Sequence, residues 1–342
     1  MQILLVKLGA LGDVLRTTPL LTALKKKYAA AQLHWVVDNA CADVLVGNPL
    51  IDVLSVFSEA KLAELKNISF DLAINLDKDK EALDTIMAVH AKTKMGFGRD
   101  VKGALCALDF KSDYAYRLGV DDELKFKQNK KTYQAISFEQ AGLVFSGEDY
   151  ILPLGPQKKS HAKELLKKIG ADPDSAKRPV VGLNTGSGRR FAGKRLPVKS
   201  WVRLAERFHN ELGMDVWLLG GQDEIERNQE IQKNSRVPMI NTGSHDILTF
   251  AAMVSYCDLV ISGDTTAMHI AIAVKTPVIA YFASTCATEI ELYGRGQKII
   301  SDISCAPCYL KDCPIDERCM DEMNMDAIFQ AAKSHVEGIR TT

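Results

Sequence analysis

Three short stretches carry residues that can hold charge or move a proton. Asp264-Thr265-Thr266 follows a β-branched apolar run, Leu259 to Ile261, that Ser262 and Gly263 break. Asp and Thr suit the N-cap of a helix, and apolar residues then recur at Ala267, Ile270, Ala271 and Val274 with helical spacing. Pro277 stops that helix, and Val278 to Phe282 reads as the next buried strand. Such a turn lies at the carboxyl end of a parallel strand. There the free amides and partial positive charge of a helix N-terminus favour a phosphate. Asp264 and His269 stand near the same edge, where they either support an anion or merely cap and pack.

The second stretch runs from Asn184 to Pro197. Thr185, Gly186, Ser187 and Gly188 follow a strand, and Arg189, Arg190, Lys194 and Arg195 fall within seven residues. Small residues that expose amides beside such cations suit a diphosphate, with Lys194 the first choice for the contact. A solvated charged loop has the same composition. The third stretch, Gly9-Ala10-Leu11-Gly12-Asp13, lacks the G-x-G-x-x-G spacing of a dinucleotide site. Asp13 after this turn is either an N-cap or a general base that takes a proton from an attacking hydroxyl. Gly220, Gly221, Gln222 and Glu224 follow another strand, and Glu224 either binds ribose hydroxyls or sits exposed in a first helical turn.

These loops need a frame. Strand and helix alternate from the start: strands at 2–7, Leu33 to Val37, Val53 to Phe57, Phe70 to Leu76 and Lys94 to Gly98. Helices are expected over Val14 to Tyr28, Ala40 to Val46, Ala60 to Lys66 and Lys80 to Ala91, with Pro19 making the first turn of the first irregular. The pattern loosens near 118–178 and restarts with Pro179 to Asn184, Val198 to Leu212, Asp215 to Leu219, Asp223 to Asn234, Met239 to Asn241 and Ile247 to Tyr256. Alternation of this kind indicates α/β domains with doubly wound parallel sheets. With 342 residues the chain exceeds the usual single-domain size. The expected division is 1–165, 166–325 and a C-terminal helix, 326–342, that can pack back on the first domain. Ligands of two such sheets are expected in a cleft at their carboxyl ends.

Composition narrows the partners. Lys plus Arg equals Asp plus Glu, 43 each, so no global field draws the chain to nucleic acid. Gln2 to Val6 is too short for a signal-peptide core, and no apolar stretch reaches the ~18 residues of a membrane span. A cytoplasmic location is expected, with peripheral membrane contact open to the Lys25-Lys26-Lys27 helix end.

Taken together these residues resemble the heptosyltransferases, glycosyltransferase family nine. The match comprises Val6 to Leu15 with Thr18-Pro19, Lys194 to Trp201, Gly263-Asp264-Thr265 through His269-Ile270-Ala271, Thr276-Pro277-Val278, Phe282 and the cysteine segment ending Cys319-Met320. The resemblance implies a two-domain GT-B fold of Rossmann-like domains and an inverting transferase. Its donor would be a nucleotide-sugar, typically ADP-heptose, on the second domain. Its acceptor would be a lipopolysaccharide core on the first, at a peripheral inner-membrane face. By position it makes Asp13 the general base and puts Gly12, Arg16 and Thr18 on the acceptor side. Thr185, Ser187, Lys194, Thr265 and Thr266 fall in the donor site, with Asp264 and His269 supporting it and Glu224 near the ribose. Thr266 stands where a glycine is common in the family, and Arg16 where a histidine is frequent. No cofactor is required, since Lys194 and backbone amides can take up the leaving-group charge.

Cys305, Cys308, Cys313 and Cys319 have C-x2-C-x4-C-x5-C spacing. Four thiolates can bind structural zinc, although a reduced or partly disulfide-linked loop is the expected state. Competing functions are a GT-B nucleotide-sugar epimerase or hydrolase, which would consume donor without acceptor, and a binding protein without turnover.

Overall fold

Gln2–Val6 (β1) consists of Ile3, Leu4, Leu5 and Val6 after one polar residue, and all four apolar side chains are buried. A strand apolar on both faces belongs in the middle of a parallel sheet. In a computed structural model, which describes residues 1–187, 194–310 and 312–341, β1 pairs in parallel with two neighbours. The chain divides into two units, Met1–Pro153 with Thr288–Glu291, and Leu154–Ala287 with Leu292–Thr342.

The first unit adds β2 (Gln32–Val37), β3 (Val53–Val56), β4 (Ser69–Asn75), β5 (His90–Arg99) and β6 (Leu105–Ala107) in the order β3-β2-β1-β4-β5-β6. Its helices are α1 (Leu11–Thr17), α2 (Pro19–Lys27), α3 (Asn39–Ala42), α4 (Glu59–Leu65), α5 (Lys80–Ala88), α6 (Asp113–Arg117) and α7 (Tyr133–Gln140). Two local expectations change. The first helix starts at Leu11 rather than Val14 and is two helices, because Pro19 has no N–H to donate and opens α2 as its first residue. The last strand, β6, was not expected and runs antiparallel to β5.

The second unit contains α8 (Pro156–Lys168), β7 (Val180–Asn184), α9 (Val198–Leu212), β8 (Asp215–Leu219), α10 (Ile225–Asn234), β9 (Met239–Asn241), α11 (Ile247–Val254), β10 (Leu259–Gly263), α12 (Thr266–Ala273), β11 (Val278–Phe282), β12 (Gly296–Ile300), α13 (Arg318–Asp321) and α14 (Met325–Thr341). The parallel sheet order is β12-β11-β10-β7-β8-β9. Along α9, Trp201, Leu204, Ala205, Phe208 and Leu212 recur every three or four residues and are all buried, and Gly213 ends the helix in the left-handed region at φ 64°. Burying each large side chain contributes roughly 1.5–3 kcal/mol.

The division falls after Pro153, ahead of the expected 165, because α8 packs against α11 of the second unit. The closing helix is likewise part of the second unit. Ile328, Phe329, Ala332 and Val336 of α14 join the core built on α9, and the Phe329 ring stacks on Phe208 with centroids 6.1 Å apart.

Candidate functional site

In the second sheet β7 and β10 lie side by side, but the chain leaves β7 toward β8 and leaves β10 toward β11. This reversal opens a crevice at the carboxyl ends of the two strands. Asn184, the last residue of β7, fastens that point. Its side-chain amide donates to Ser262 Oγ at 3.1 Å, to Thr265 Oγ1 at 3.1 Å and to the Gly186 carbonyl at 3.2 Å. Thr265 is the N-cap of α12, so the first amides of that helix open beside the same point.

A cavity of about 260 Å3 lies there, lined by Asn184, Gly186, Ser187, Gly220, Gly221, Glu224, His245, Ile247, Phe250, Thr265, Thr266, Ala267 and Ile270. Hydroxyls, amides, the His245 imidazole and one carboxylate supply its polar lining, and Ile247, Phe250 and Ile270 an apolar one. Glu224 is buried and accepts a hydrogen bond from Gly221 N at 2.9 Å. A Cβ on Gly186 would lie 2.0 Å from Glu224 Oε1, so only glycine lets the loop after β7 close over that carboxylate.

Lys194 is positioned at the mouth of α12. Its Nζ lies 3.3 Å from Asp264 Oδ2 and 3.4 Å from the Asp264 carbonyl, directly before the cap. Arg227 holds both ends of the loop that carries Lys194: its Nε donates to Thr185 O at 3.1 Å, and its guanidinium also donates to Leu196 O. Burial and the neighbouring Arg195 pull the Arg227 pKa below its ordinary value. Gly188, Arg189, Arg190 and Gly193, part of the phosphate-loop expectation, lie outside the described residues.

Ser187, Glu224, Thr265 and Thr266 therefore meet in one cavity, with Asp264 and Lys194 paired beside it. Two expected donor residues do not reach it. Thr185 is wholly buried and donates to Asn228 Oδ1 at 2.5 Å, because Asn228 in turn must anchor Leu219 O below the loop. His269 is buried within α12 and is absent from the lining. Asn184 stood within the expected loop but was assigned no role, and Arg227, His245 and the apolar wall were missed. A polar residue ending an otherwise apolar strand, Val180 to Asn184, was the available signal for the first.

In the first unit Ala10 is the N-cap of α1, so Asp13 lies in the first helical turn and does not cap it. Its carboxylate pairs with Arg16 at 2.8 Å, with its side chain 35% exposed and so within reach of solvent. The Arg16 guanidinium lies 3.8 Å from the Tyr133 ring centroid and 4.0 Å from Glu289. Burial lowers the Arg16 pKa, but Asp13, Tyr133 and Glu289 outweigh it and raise the net value. Gly12 is buried on α1. Thr18, expected on the acceptor side, is wholly buried; its hydroxyl donates to Leu15 O at 2.7 Å and accepts from Ile151 N at 2.8 Å. It ties the start of α2 to the end of the unit instead.

The four clustered cysteines are free thiols, Cys305 and Cys313 exposed and Cys308 and Cys319 half-buried. Burial, then the neighbouring Cys313, Cys305 and Cys308, push the Cys319 thiol up to about 11. Among the described residues no group of three or more His, Cys, Asp or Glu side chains is placed to hold a metal ion.

The family model for glycosyltransferase family 9 (heptosyltransferase) matches residues 60–318. The chain belongs to glycosyltransferase family 9. Like the other members of family 9 it is a glycosyltransferase. Lipooligosaccharide heptosyltransferase 2 of Campylobacter jejuni is 24% identical over 95% of each chain. The family 9 glycosyl transferase of Veillonella parvula superposes with a TM-score of 0.75 at 19% identity, covering 98% of this chain and 97% of its own. The ADP-heptose lps heptosyltransferase II of Escherichia coli does so with a TM-score of 0.70 at 16% identity, covering 99% and 100%. The shared fold is GT-B, two Rossmann-like α/β domains in one family 9 chain. No helix of the described residues is long and apolar enough to cross a membrane.

Proposed function

We propose that this family 9 enzyme transfers heptose from ADP-heptose to a lipopolysaccharide core acceptor with inversion at the anomeric carbon. The cavity at the β7/β10 crevice carries this reading. A diphosphate fits its polar lining, where the amides opening α12 and the Thr265 and Thr266 hydroxyls can donate to phosphate oxygens. An aromatic base fits the Phe250, Ile247 and Ile270 wall, and Glu224 can accept from ribose hydroxyls. The Escherichia coli protein of the same fold is an ADP-heptose lps heptosyltransferase, in keeping with this donor and acceptor class.

Displacing ADP develops negative charge on the departing phosphate. A lysine ammonium and a helix N-terminus set there in advance stabilise that charge more in the transition state than in the ground state. The sugar becomes oxocarbenium-like, as in glycoside hydrolysis. Inversion in one step then needs a base for the acceptor hydroxyl, and Asp13, set between Lys7 and Arg16 and open to solvent, takes that role. No metal ion enters this account.

The acceptor is amphiphilic, and one face of the first unit suits a bilayer of anionic lipid. Phe110 is 84% and Val144 83% exposed. Lys27 Nζ donates to Gly142 O at 3.3 Å, and a Cβ on Gly142 would lie 2.7 Å from Lys111 Nζ, so lysines stand among these apolar groups. We propose that this face docks peripherally at the cytoplasmic face of the inner membrane.

The test combines ADP-heptose with a Kdo-lipid A acceptor and wild-type, Asp13→Ala or Lys194→Ala protein. Asp13→Ala is expected to bind donor but lose transfer, and Lys194→Ala to lose donor affinity. Donor consumed equally fast without acceptor would replace the transferase reading by hydrolysis or epimerisation.

A further inference from the structure

Lys7 ends up buried, 5% exposed, at the carboxyl end of β1. Its backbone is held from both sides, with its N–H donating to Val36 O at 3.2 Å and its carbonyl accepting from Trp35 Nε1 at 3.1 Å. Two carboxylates share its ammonium: Asp77 Oδ2 at 3.2 Å and Asp13 Oδ2 at 3.9 Å. A buried ammonium without such partners would be strongly disfavoured.

Asp77 does more than neutralise it. The same Oδ2 accepts from Leu8 N at 3.1 Å and Gly9 N at 3.3 Å, while Oδ1 accepts from Lys78 N at 3.0 Å. Asn75 fixes Asp77 in turn, donating to Asp77 O at 2.9 Å and accepting from Asp77 N at 3.0 Å. One buried carboxylate thus clamps the backbone leading into α1 and the ammonium that faces Asp13.

We propose that Lys7 and Asp77 are a positioning pair for Asp13, with Lys7 fixing its carboxylate and holding it ionised while Asp77 sets how much of that charge Asp13 receives. The proposal rests on Asp13 being the base. Among the described residues, the other groups around Asp13 include Arg16 on the same helix, Tyr133 from α7, Tyr150 beyond it, Cys41 from α3 and, beyond Arg16, Glu289. Lys7 and Arg16 are the cations of this set, and Asp77 the anion nearest Lys7. In agreement, burial lowers the Lys7 pKa, but Tyr133, Asp13 and Asp77 outweigh it and raise the net value.

The signs separate this role from a merely structural one. An adjacent cation favours ionised Asp13, so Lys7→Met should move its titration up by about one pH unit. Asp77→Asn removes a negative neighbour and frees Lys7 for Asp13, so titration should move down. The experiment follows the Asp13 carboxyl by 13C NMR in the full chain, beside the pH dependence of kcat/KM. Opposite shifts support the pair; no shift, or shifts in one direction, overturn it. If Lys7→Met does not fold, Asp77→Asn decides alone, a fall supporting the proposal and a rise or no change overturning it. Transfer surviving in Asp13→Ala would remove the base reading while the NMR titration still judges the pair.

Discussion

The side-chain amide of Asn184 and the hydroxyl of Thr265 lie 3.1 Å apart, and this bond joins the ends of β7 and β10 at the one place where the second sheet opens. Asn184→Ala removes the donor to Ser262, Thr265 and Gly186 together. Leaving buried acceptors unmatched costs about 1–3 kcal/mol. Urea denaturation should show that loss, and calorimetry should show weaker binding of ADP because the helix cap is no longer held.

Lys194 offers a sharper test of the phosphate site. A hydrogen bond to a charged group contributes about 1.5–3 kcal/mol. Lys194→Ala should therefore weaken ADP-heptose binding at least tenfold with little change in melting temperature. Unaltered affinity would remove Lys194 from the donor site.

Thr185 and Gly186 are neighbours with different expected phenotypes. Thr185→Val strands Asn228 inside the second unit and should lower stability by about 1–3 kcal/mol while donor affinity stays within a few-fold. Gly186→Ala drives a methyl group into the Glu224 carboxylate. It should cost about 1–3 kcal/mol and donor binding together, through overpacking.

Asp246 caps α11, accepting from Thr249 N at 3.0 Å and Thr249 Oγ1 at 2.6 Å, with Lys158 Nζ at 2.9 Å. Burial raises its pKa, but the Thr249 hydroxyl, Lys158 and the Thr249 amide outweigh it and hold the carboxyl well below the usual range. A depressed pKa adds stability above the unfolded value of about 3.9, and that stability is lost as pH falls through the folded value. Asp246 is half-exposed, so solvent screening limits the effect to about 1 kcal/mol. Asp246→Ala should lower the urea midpoint at pH 7, and the gap to wild type should shrink in strong acid.

Membrane docking predicts sedimentation with vesicles that contain phosphatidylglycerol and little with pure phosphatidylcholine. Phe110→Ser with Val144→Ser, or Lys26, Lys27 and Lys111 changed to Gln, should each reduce binding severalfold, since each basic residue near an anionic surface contributes about 1 kcal/mol. Equal binding to both vesicle types would sink the electrostatic part.

Much of the frame was legible because parallel strands are buried on both faces and show as unbroken apolar runs; α9, β8, β9 and β11 fall on their expected bounds. The edges were not. In β12, Gly296-Gln297-Lys298 carries no apolar signal, since an edge strand is half solvated. Motif positions located the cavity, yet type alone could not say which way a side chain points. Thr185 and Thr266 are both threonines after strands, one locked inside on Asn228 and one lining the site. The Lys7–Asp77 pair spans 70 residues of sequence, and only the meeting of β1 with β4 brings it together.

Among the described residues, the cavity draws its walls from the second unit. Under the proposed reading, nucleotide recognition would be self-contained, and substitutions in the first unit would retune the choice of incoming alcohol without disturbing it. A chain built this way can diversify by altering one half while the other keeps the same fuel.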